Sequence, residues 1–318
     1  MIQADVPALE ITELRKTYGS LEALRGVDFQ LHQGERLAFL GPNGAGKTTL
    51  IRCLAGRTRP THGKINVFGL PIESPGVRNA LGLVPQDLAL YSDLTTRENL
   101  TVFARFHGVP RRNLKERVQW ALQWTGLTDR AGELVGGFSG GMKRRVNLAC
   151  GVMHRPQVIL LDEPTVGVDP QSRERLFTML DDLNRQGASI LLTTHHLDEA
   201  QQRSDRIVIL DQGQVIADGT IDQLVNRTVG PSRLVKVRVD RPLTAPVWIS
   251  GHTGPQHLRQ VGAAGQDRFE TRIDDVTTDI SRLLDAIRNS GYLVSDMEVQ
   301  APSLHHVFLH LTGHELRD

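Results

Sequence analysis

The segment GPNGAGKTT, residues 41–49, carries the side chains of this chain best suited to handle phosphate. It fits G-x-x-x-x-G-K-[ST], follows the apolar run RLAFL, and precedes an apolar-periodic stretch that Gly56 should stop. Gly41, Gly44 and Gly46 let the backbone curl through Pro42, Asn43 and Ala45, so that successive N–H groups face phosphate oxygens. The helix that follows adds the partial positive charge of its N-terminus. Lys47 can reach the outer phosphates, the Thr48 hydroxyl can ligate Mg²⁺, and Thr49 closes the motif. A second run, VILLDEP, delivers Asp162 to the carboxyl end of a strand, where open α/β sheets place their ligands. Asp162 can hold Mg²⁺ directly or through water, and Glu163 is better placed to orient and activate an attacking water. The phosphate loop alone fits kinases, GTPases and motor ATPases equally well.

Strands and helices in alternation must position these groups. VILLD (158–162), ASILLTT (188–194) and RIVIL (206–210) are near-continuous apolar runs, as strands covered on both faces by crossover helices should be. VDFQL (27–31) and KINVF (64–68) alternate like half-exposed strands. The expected fold class is α/β, a parallel-sheet core with an antiparallel flank. Between Gln86 and Ser139 the period turns helical, with Val118, Ala121, Leu122 and Thr125 on one face. A further helix from near Ser139 should end before Pro156 and bury Val146, Ala149, Cys150 and Met153. Residues 1–225 thus read as one domain with an inserted helical subdomain at about 87–156. Cys53 and Cys150 read as core residues.

NRTVGPSR (226–233) reads as a linker, and 234–318 as a small α+β accessory domain. There Val235, Val237 and Val239 alternate with Lys236, Arg238 and Asp240. Val276, Ile280, Leu283, Leu284 and Ile287 form a helical stripe closed by Gly291, and YLVSDMEV reads as a strand. Ser303 is expected to cap a last helix with Leu304, Val307, Phe308 and Leu311 inward.

Composition narrows the function classes. Among 318 residues, 37 basic against 36 acidic side chains leave a net charge of +1, which gives no overall electrostatic case for nucleic acid or anionic lipid. Two cysteines cannot build a disulfide framework, and a reducing compartment suits them. The start, MIQADVPALE, does not read as a secretory signal. No apolar run approaches the ~18 residues a membrane span needs, so the chain by itself is expected to be soluble.

FSGGMKRR (138–145) separates the nucleotide-binding classes. With it the chain resembles the ATP-binding subunit of ATP-binding cassette (ABC) transporters, whose signature is close to LSGGQ. The resemblance covers about residues 11–224, with the motifs in the family's order. It implies a P-loop NTPase (RecA-like) core that binds ATP with Mg²⁺. Tyr18 fits the aromatic that stacks on adenine, residues 41–49 the Walker A loop, and Gln86, in LVPQ, the Q-loop glutamine sensing metal and γ-phosphate. Ser139, Gly140 and Gly141 fit the signature, Asp162 and Glu163 Walker B, Asp169 the D-loop, and His195 the switch histidine. Lys47, Glu163 and His195 would carry the catalysis. His196, its neighbour, reads as a solvent or packing residue. Phe138 stands for Leu and Met142 for Gln, and Met cannot donate the amide hydrogen bonds of Gln.

The resemblance also implies partners. Two copies would pack head-to-tail, each ATP lying between one chain's 41–49 and the other's 139–141. A separate permease would supply the membrane-spanning helices and dock near Gln86 and the helical subdomain, holding the subunit at the cytoplasmic face of the cell membrane. The ending PSLHHVFLHLTGHELRD resembles the tail of the multidrug and daunorubicin-resistance type of ABC-2 exporter ATPases, which points to export rather than import. A soluble ABC ATPase acting on ribosomes or DNA is the rival. Such proteins usually carry two cassettes, long coiled coils or metal-binding insertions. This chain has one cassette and a helical insert without sustained heptads, so no nucleic-acid partner is expected. His306 and His310 have the i, i+4 spacing of metal ligands, yet they fall opposite Leu304, Val307, Phe308 and Leu311. They read, with His305 and His314, as a solvated face, and Arg144 and Arg145 as helix-surface charges.

Overall fold

A computed structural model describes residues 6–230, 232–244, 247–250, 258–263 and 265–313. It divides into two compact units, the first running to Thr220 and the second starting at Ile221. In the first unit, β1 (Leu9–Tyr18), β2 (Leu21–Leu31), β3 (Arg36–Leu40), α1 (Lys47–Leu54), β4 (His62–Val67), β5 (Leu70–Pro71) and β6 (Leu81–Val84) come first. The helical insertion follows as α2 (Thr96–Phe106), α3 (Arg111–Thr125) and α4 (Gly140–Gly151). The chain then re-enters the core through β7 (Val158–Asp162), α5 (Pro170–Arg185), β8 (Ser189–Thr194), α6 (Leu197–Arg203), β9 (Arg206–Asp211) and β10 (Gln214–Gly219).

The central sheet has the order β10-β9-β3-β8-β7-β6; β9, β3, β8, β7 and β6 are parallel, and β10 pairs antiparallel to β9. Every residue of β7 and β8 is buried, which is why those runs carry no polar alternation. The flank is a four-stranded antiparallel sheet, β2-β1-β4-β5. Its apolar face shares one core with the parallel sheet and α1, where Phe29 meets Phe39 edge-on at 4.6 Å between ring centroids. Cys53 lies in this core and Cys150 in the core of the helical subdomain, both fully buried thiols. The Thr95 hydroxyl starts α2 with a capping box to Glu98. Met153 lies past the end of α4 yet is buried with Val146, Ala149 and Cys150. Among the described residues, no helix is long and apolar enough to cross a membrane.

The second unit contains α7 (Ile221–Thr228), β11 (Arg233–Val239), β12 (Val247–Ser250), β13 (Leu258–Gly262), β14 (Arg268–Ile273), α8 (Val276–Asn289), β15 (Val294–Gln300) and α9 (Leu304–Thr312). The sheet β14-β11-β15 is antiparallel, and Val235, Val237 and Val239 face a core with Phe269, Leu283 and Ile287. Three expectations are corrected here. The 226–233 stretch begins inside α7 rather than as open linker, because Leu224 and Val225 bury the apolar side of that helix and carry it to Thr228. Position 231 lies outside the described residues. Val276 is exposed, and Asp279 takes the buried place in the first turn of α8, accepting the N–H groups of Asp274 and Asp275. His306 is no bystander on a wet face: its Nδ1 accepts the Ser303 N–H at 3.2 Å and so closes the start of α9. His314 lies outside the described residues, and among them no group of three or more His, Cys, Asp or Glu could hold a metal.

Candidate functional site

Four neighbouring parallel strands, β3, β8, β7 and β6, end on one edge of the central sheet, and each hands over one chemical group. The phosphate loop follows β3, His195 follows β8, Glu163 follows β7, and Gln86 comes two residues after β6. This is the carboxyl edge, where an open α/β sheet exposes its helix N-termini.

Lys47 opens α1 and is nearly buried. Its ammonium donates to the carbonyls of Gly41 at 2.7 Å and Pro42 at 3.1 Å, and lies 3.1 Å from Glu163 Oε1. Gly46 precedes it with φ +106, and a Cβ there would stand 2.6 Å from the Ala23 carbonyl oxygen. Only glycine meets both conditions, so the loop can seat on β2 and still turn into the helix.

Glu163 sits at the centre. It takes φ +45, an unusual backbone for a side chain with a Cβ, and its N–H donates to Thr193 Oγ1 at 3.0 Å. Gln86 Nε2 donates to Glu163 Oε2 at 3.4 Å, and His195 Nδ1 lies 3.3 Å from the same oxygen. Lys47 and Glu163 therefore form a buried ion pair, each at most 6% exposed, with hydrogen-bonding groups around it. Breaking such a pair on one side leaves an unpaired buried charge. Asp162 accepts from Thr48 Oγ1 at 3.2 Å and Thr193 Oγ1 at 2.9 Å. Burial pushes its carboxyl pKa up, and those two hydroxyl bonds hold the rise back.

The family model described as ABC transporter matches residues 24–166. The daunorubicin resistance ATP-binding protein DrrA3 of Streptomyces coeruleorubidus is 38% identical over 315 residues, covering 98% of this chain and 97% of that protein. The Nod factor export ATP-binding protein I of Rhizobium meliloti is 34% identical over 313 residues, covering 98% and 90%. A dimeric ATP-binding cassette in a post-hydrolysis state, bound to ADP and Pi, aligns with TM-score 0.60 and 25% identity over 67% of this chain and 98% of its own. This chain belongs to the ATP-binding subunits of ABC transporters. It is an ATPase subunit of the exporter branch to which those relatives belong.

In this ABC subunit, Lys47, Thr48, Gln86, Asp162, Glu163 and His195 come together as one cluster. Ser139, Gly140 and Gly141 do not join it. Ser139 and Gly140 are exposed, and the Ser139 hydroxyl caps α4 by accepting the Met142 N–H at 3.3 Å. Gly141 is required by packing, since a Cβ there would fall 2.1 Å from Ser172 Oγ. Asp169 also stays outside the cluster. It caps α5 by accepting the Ser172 N–H at 2.9 Å, and that bond holds its carboxyl below the usual range. Tyr18 is exposed at the tip of the β1–β2 hairpin, with the Lys16 ammonium 4.8 Å from its ring centroid. Met142 packs against the helical-subdomain core, as Phe138 does. His196 lies ring to ring with His195 at 4.3 Å and donates its N–H to Thr194 Oγ1.

Sequence reasoning missed four residues. Thr193 faces Asp162 in the β7–β8 register and fixes both acidic neighbours; two hydroxyls ending an apolar strand were the available signal. Glu199 is buried and accepts from the hydroxyls of Thr165 and Thr194, joining the segment after β7 to the one after β8. Arg144 and Asn147 bond to loop carbonyls. Arg144 and Arg145 are thus not surface charges, because their guanidiniums turn inward to Gln86 O and Val166 O, and to Thr125 O.

Proposed function

We propose that two copies of this subunit clasp two MgATP head-to-tail and so drive export through a separate ABC-2-type permease at the cytoplasmic face of the cell membrane. One observation carries this reading. The chain holds two glycine-bearing helix starts suited to an anion, one inside the cluster of Lys47, Asp162, Glu163 and His195 and the other, at 139–141, outside it with Ser139 and Gly140 exposed. A second copy is the natural source of what each half lacks. ATP bridges the halves through its γ-phosphate, and hydrolysis removes the bridge.

Each residue then has a task. Lys47 and the loop N–H groups of 41–49 hold the phosphates. Thr48 and Asp162 offer a hydroxyl and a carboxylate oxygen side by side, a hard-oxygen pair that suits Mg²⁺ beside phosphate, and Gln86, bonded to the adjoining Glu163, would add its amide oxygen. Mg²⁺, when bound there, neutralises charge on the phosphates. Glu163 accepts a proton from the attacking water and orients it, and His195 steadies the γ-phosphate end. Tyr18 offers the free side of its ring to adenine, and Asp169 lies at the copy–copy seam. The exposed Leu88, Tyr91 and Phe106, with Phe103 within 6.2 Å of both rings, form an apolar face near Gln86 that suits a permease helix. The unit from Ile221 is an accessory domain of the same subunit.

The test is light scattering of the Glu163→Gln protein. Mass should double when MgATP is added and return to monomer with MgADP. A protein that binds MgATP yet stays monomeric overturns the two-copy reading.

A further inference from the structure

Arg144 and Asn147 stand one turn apart on α4, the helix whose start is the signature. Both turn their polar ends onto a single stretch of backbone. Arg144 Nη1 donates to the carbonyl oxygen of Gln86 itself. Asn147 Nδ2 donates to the Pro85 carbonyl at 3.3 Å, and Asn147 Oδ1 accepts the Ala89 N–H at 3.1 Å. The backbone is therefore gripped on both sides of the glutamine. Through Nη2 the same guanidinium donates to the Val166 carbonyl at 3.1 Å, three positions before Asp169.

The chemistry suits a linkage more than a surface. Asn147 is 2% exposed and spends its carboxamide on loop backbone. A guanidinium presents a rigid fork of donors, which can hold two carbonyls from separate segments at a fixed spacing as no single-headed side chain can. Burial lowers the Arg144 pKa, a cost consistent with a charge kept there for its bonds.

We propose that Arg144 and Asn147 are positioning residues that lock the backbone at Gln86 to the signature helix, so that a partner copy's ATP at 139–141 sets the place of Gln86 in this chain's own site. The proposal rests on the two-copy reading. It makes the first two turns of α4 and the Gln86 loop one mechanical body, and occupancy of either nucleotide site then biases the other.

The test uses the full chain carrying Glu163→Gln, with Arg144→Gln, Arg144→Lys or Asn147→Ala added. Three quantities are read: amide exchange over 85–90, affinity for MgADP, and the MgATP concentration giving half-maximal dimer by light scattering. Exchange at the Ala89 amide should quicken in Asn147→Ala. The MgATP midpoint should rise about 2- to 30-fold in Arg144→Gln and Asn147→Ala, while MgADP affinity stays within about 2-fold. Arg144→Lys, which keeps a donor and the charge, should fall between parent and Arg144→Gln, and serves alone if Arg144→Gln does not fold. Quickened exchange with an unmoved midpoint overturns the proposal. So does an MgADP affinity that weakens by the same factor as the midpoint, which marks a merely local defect. If the parent itself stays monomeric in MgATP, the two-copy reading has failed and the proposal falls with it, a result visible before any second variant is made.

Discussion

The two helix starts of the first unit make opposite use of one physical device. At α1 the N-terminus is enclosed, with Lys47, Asp162 and Glu163 nearly buried and every carboxylate matched by a hydroxyl, an amide or an ammonium. At α4 the first residues, Ser139 and Gly140, are exposed, Gly141 is packed inside, and 139–141 carries no ionised side chain. The first start keeps its charges buried and paired. The second offers N–H donors to an anion that something else must bring. On the reading proposed above, the enclosed start cleaves and the open start completes a neighbour's site, so the contrast is one that pairing between molecules would use.

The largest expected effect separates cleaving from holding. Glu163→Gln should lower phosphate release about 10²- to 10⁴-fold, the range for loss of a general base, while MgATP still binds. Unchanged release would move the chemistry away from the α1 cluster. Next comes the open start. Ser139→Ala removes one hydroxyl donor to a charged phosphate and should cost about 10- to 100-fold in kcat/KM. Affinity of the monomer for MgADP should not change, and a parallel loss there would mean that Ser139 serves its own chain's site.

The third prediction concerns the burden of the enclosed start. Because the folded Asp162 carboxyl has its pKa raised by burial, the folded chain keeps a proton that the unfolded chain gives up. Folding stability contributed by this group therefore falls as pH rises from the ordinary carboxyl value through the raised one, and stays low above it. Asp162→Asn should accordingly gain Tm relative to the parent across that window and keep the gain at neutral pH, while losing Mg²⁺-dependent hydrolysis. A Tm difference of the opposite sign would show that the hydroxyl bonds of Thr48 and Thr193 outweigh burial. The smallest effect is expected at Met142. Met142→Gln should destabilise by about 0.5–1 kcal/mol in denaturant unfolding, through lost packing on the helical-subdomain core, with turnover nearly unchanged.

How far this was legible depended on whether the information was local. The phosphate loop, the strand ending in Asp162 and the apolar runs of β7 and β8 are written within a few residues each, so their types and order are readable directly. The stripe of α8 misled at Val276, since a capping carboxylate at Asp279 can take an inward position that periodicity assigns to an apolar side chain. Thr193, Glu199, Arg144 and Asn147 act across strand register or between helix and loop, at separations from 5 to 62 residues, and no spacing rule encodes such a meeting. Arginine on a polar helix face reads as solvated until the neighbouring carbonyls are in place. His306 gained its task the same way, from the fold of the turn before α9.

The enclosed thiols have a practical corollary. Cys53 and Cys150 are each 1% exposed; burial pushes the Cys53 thiol up to about 11 and the Cys150 thiol higher still. Thiolate is the reactive form, so burial and the raised pKa both disfavour modification of either thiol near neutral pH. A fluorophore coupled by maleimide to a cysteine engineered at the open helix start would thus report from that place alone, on a background that needs no prior cysteine removal.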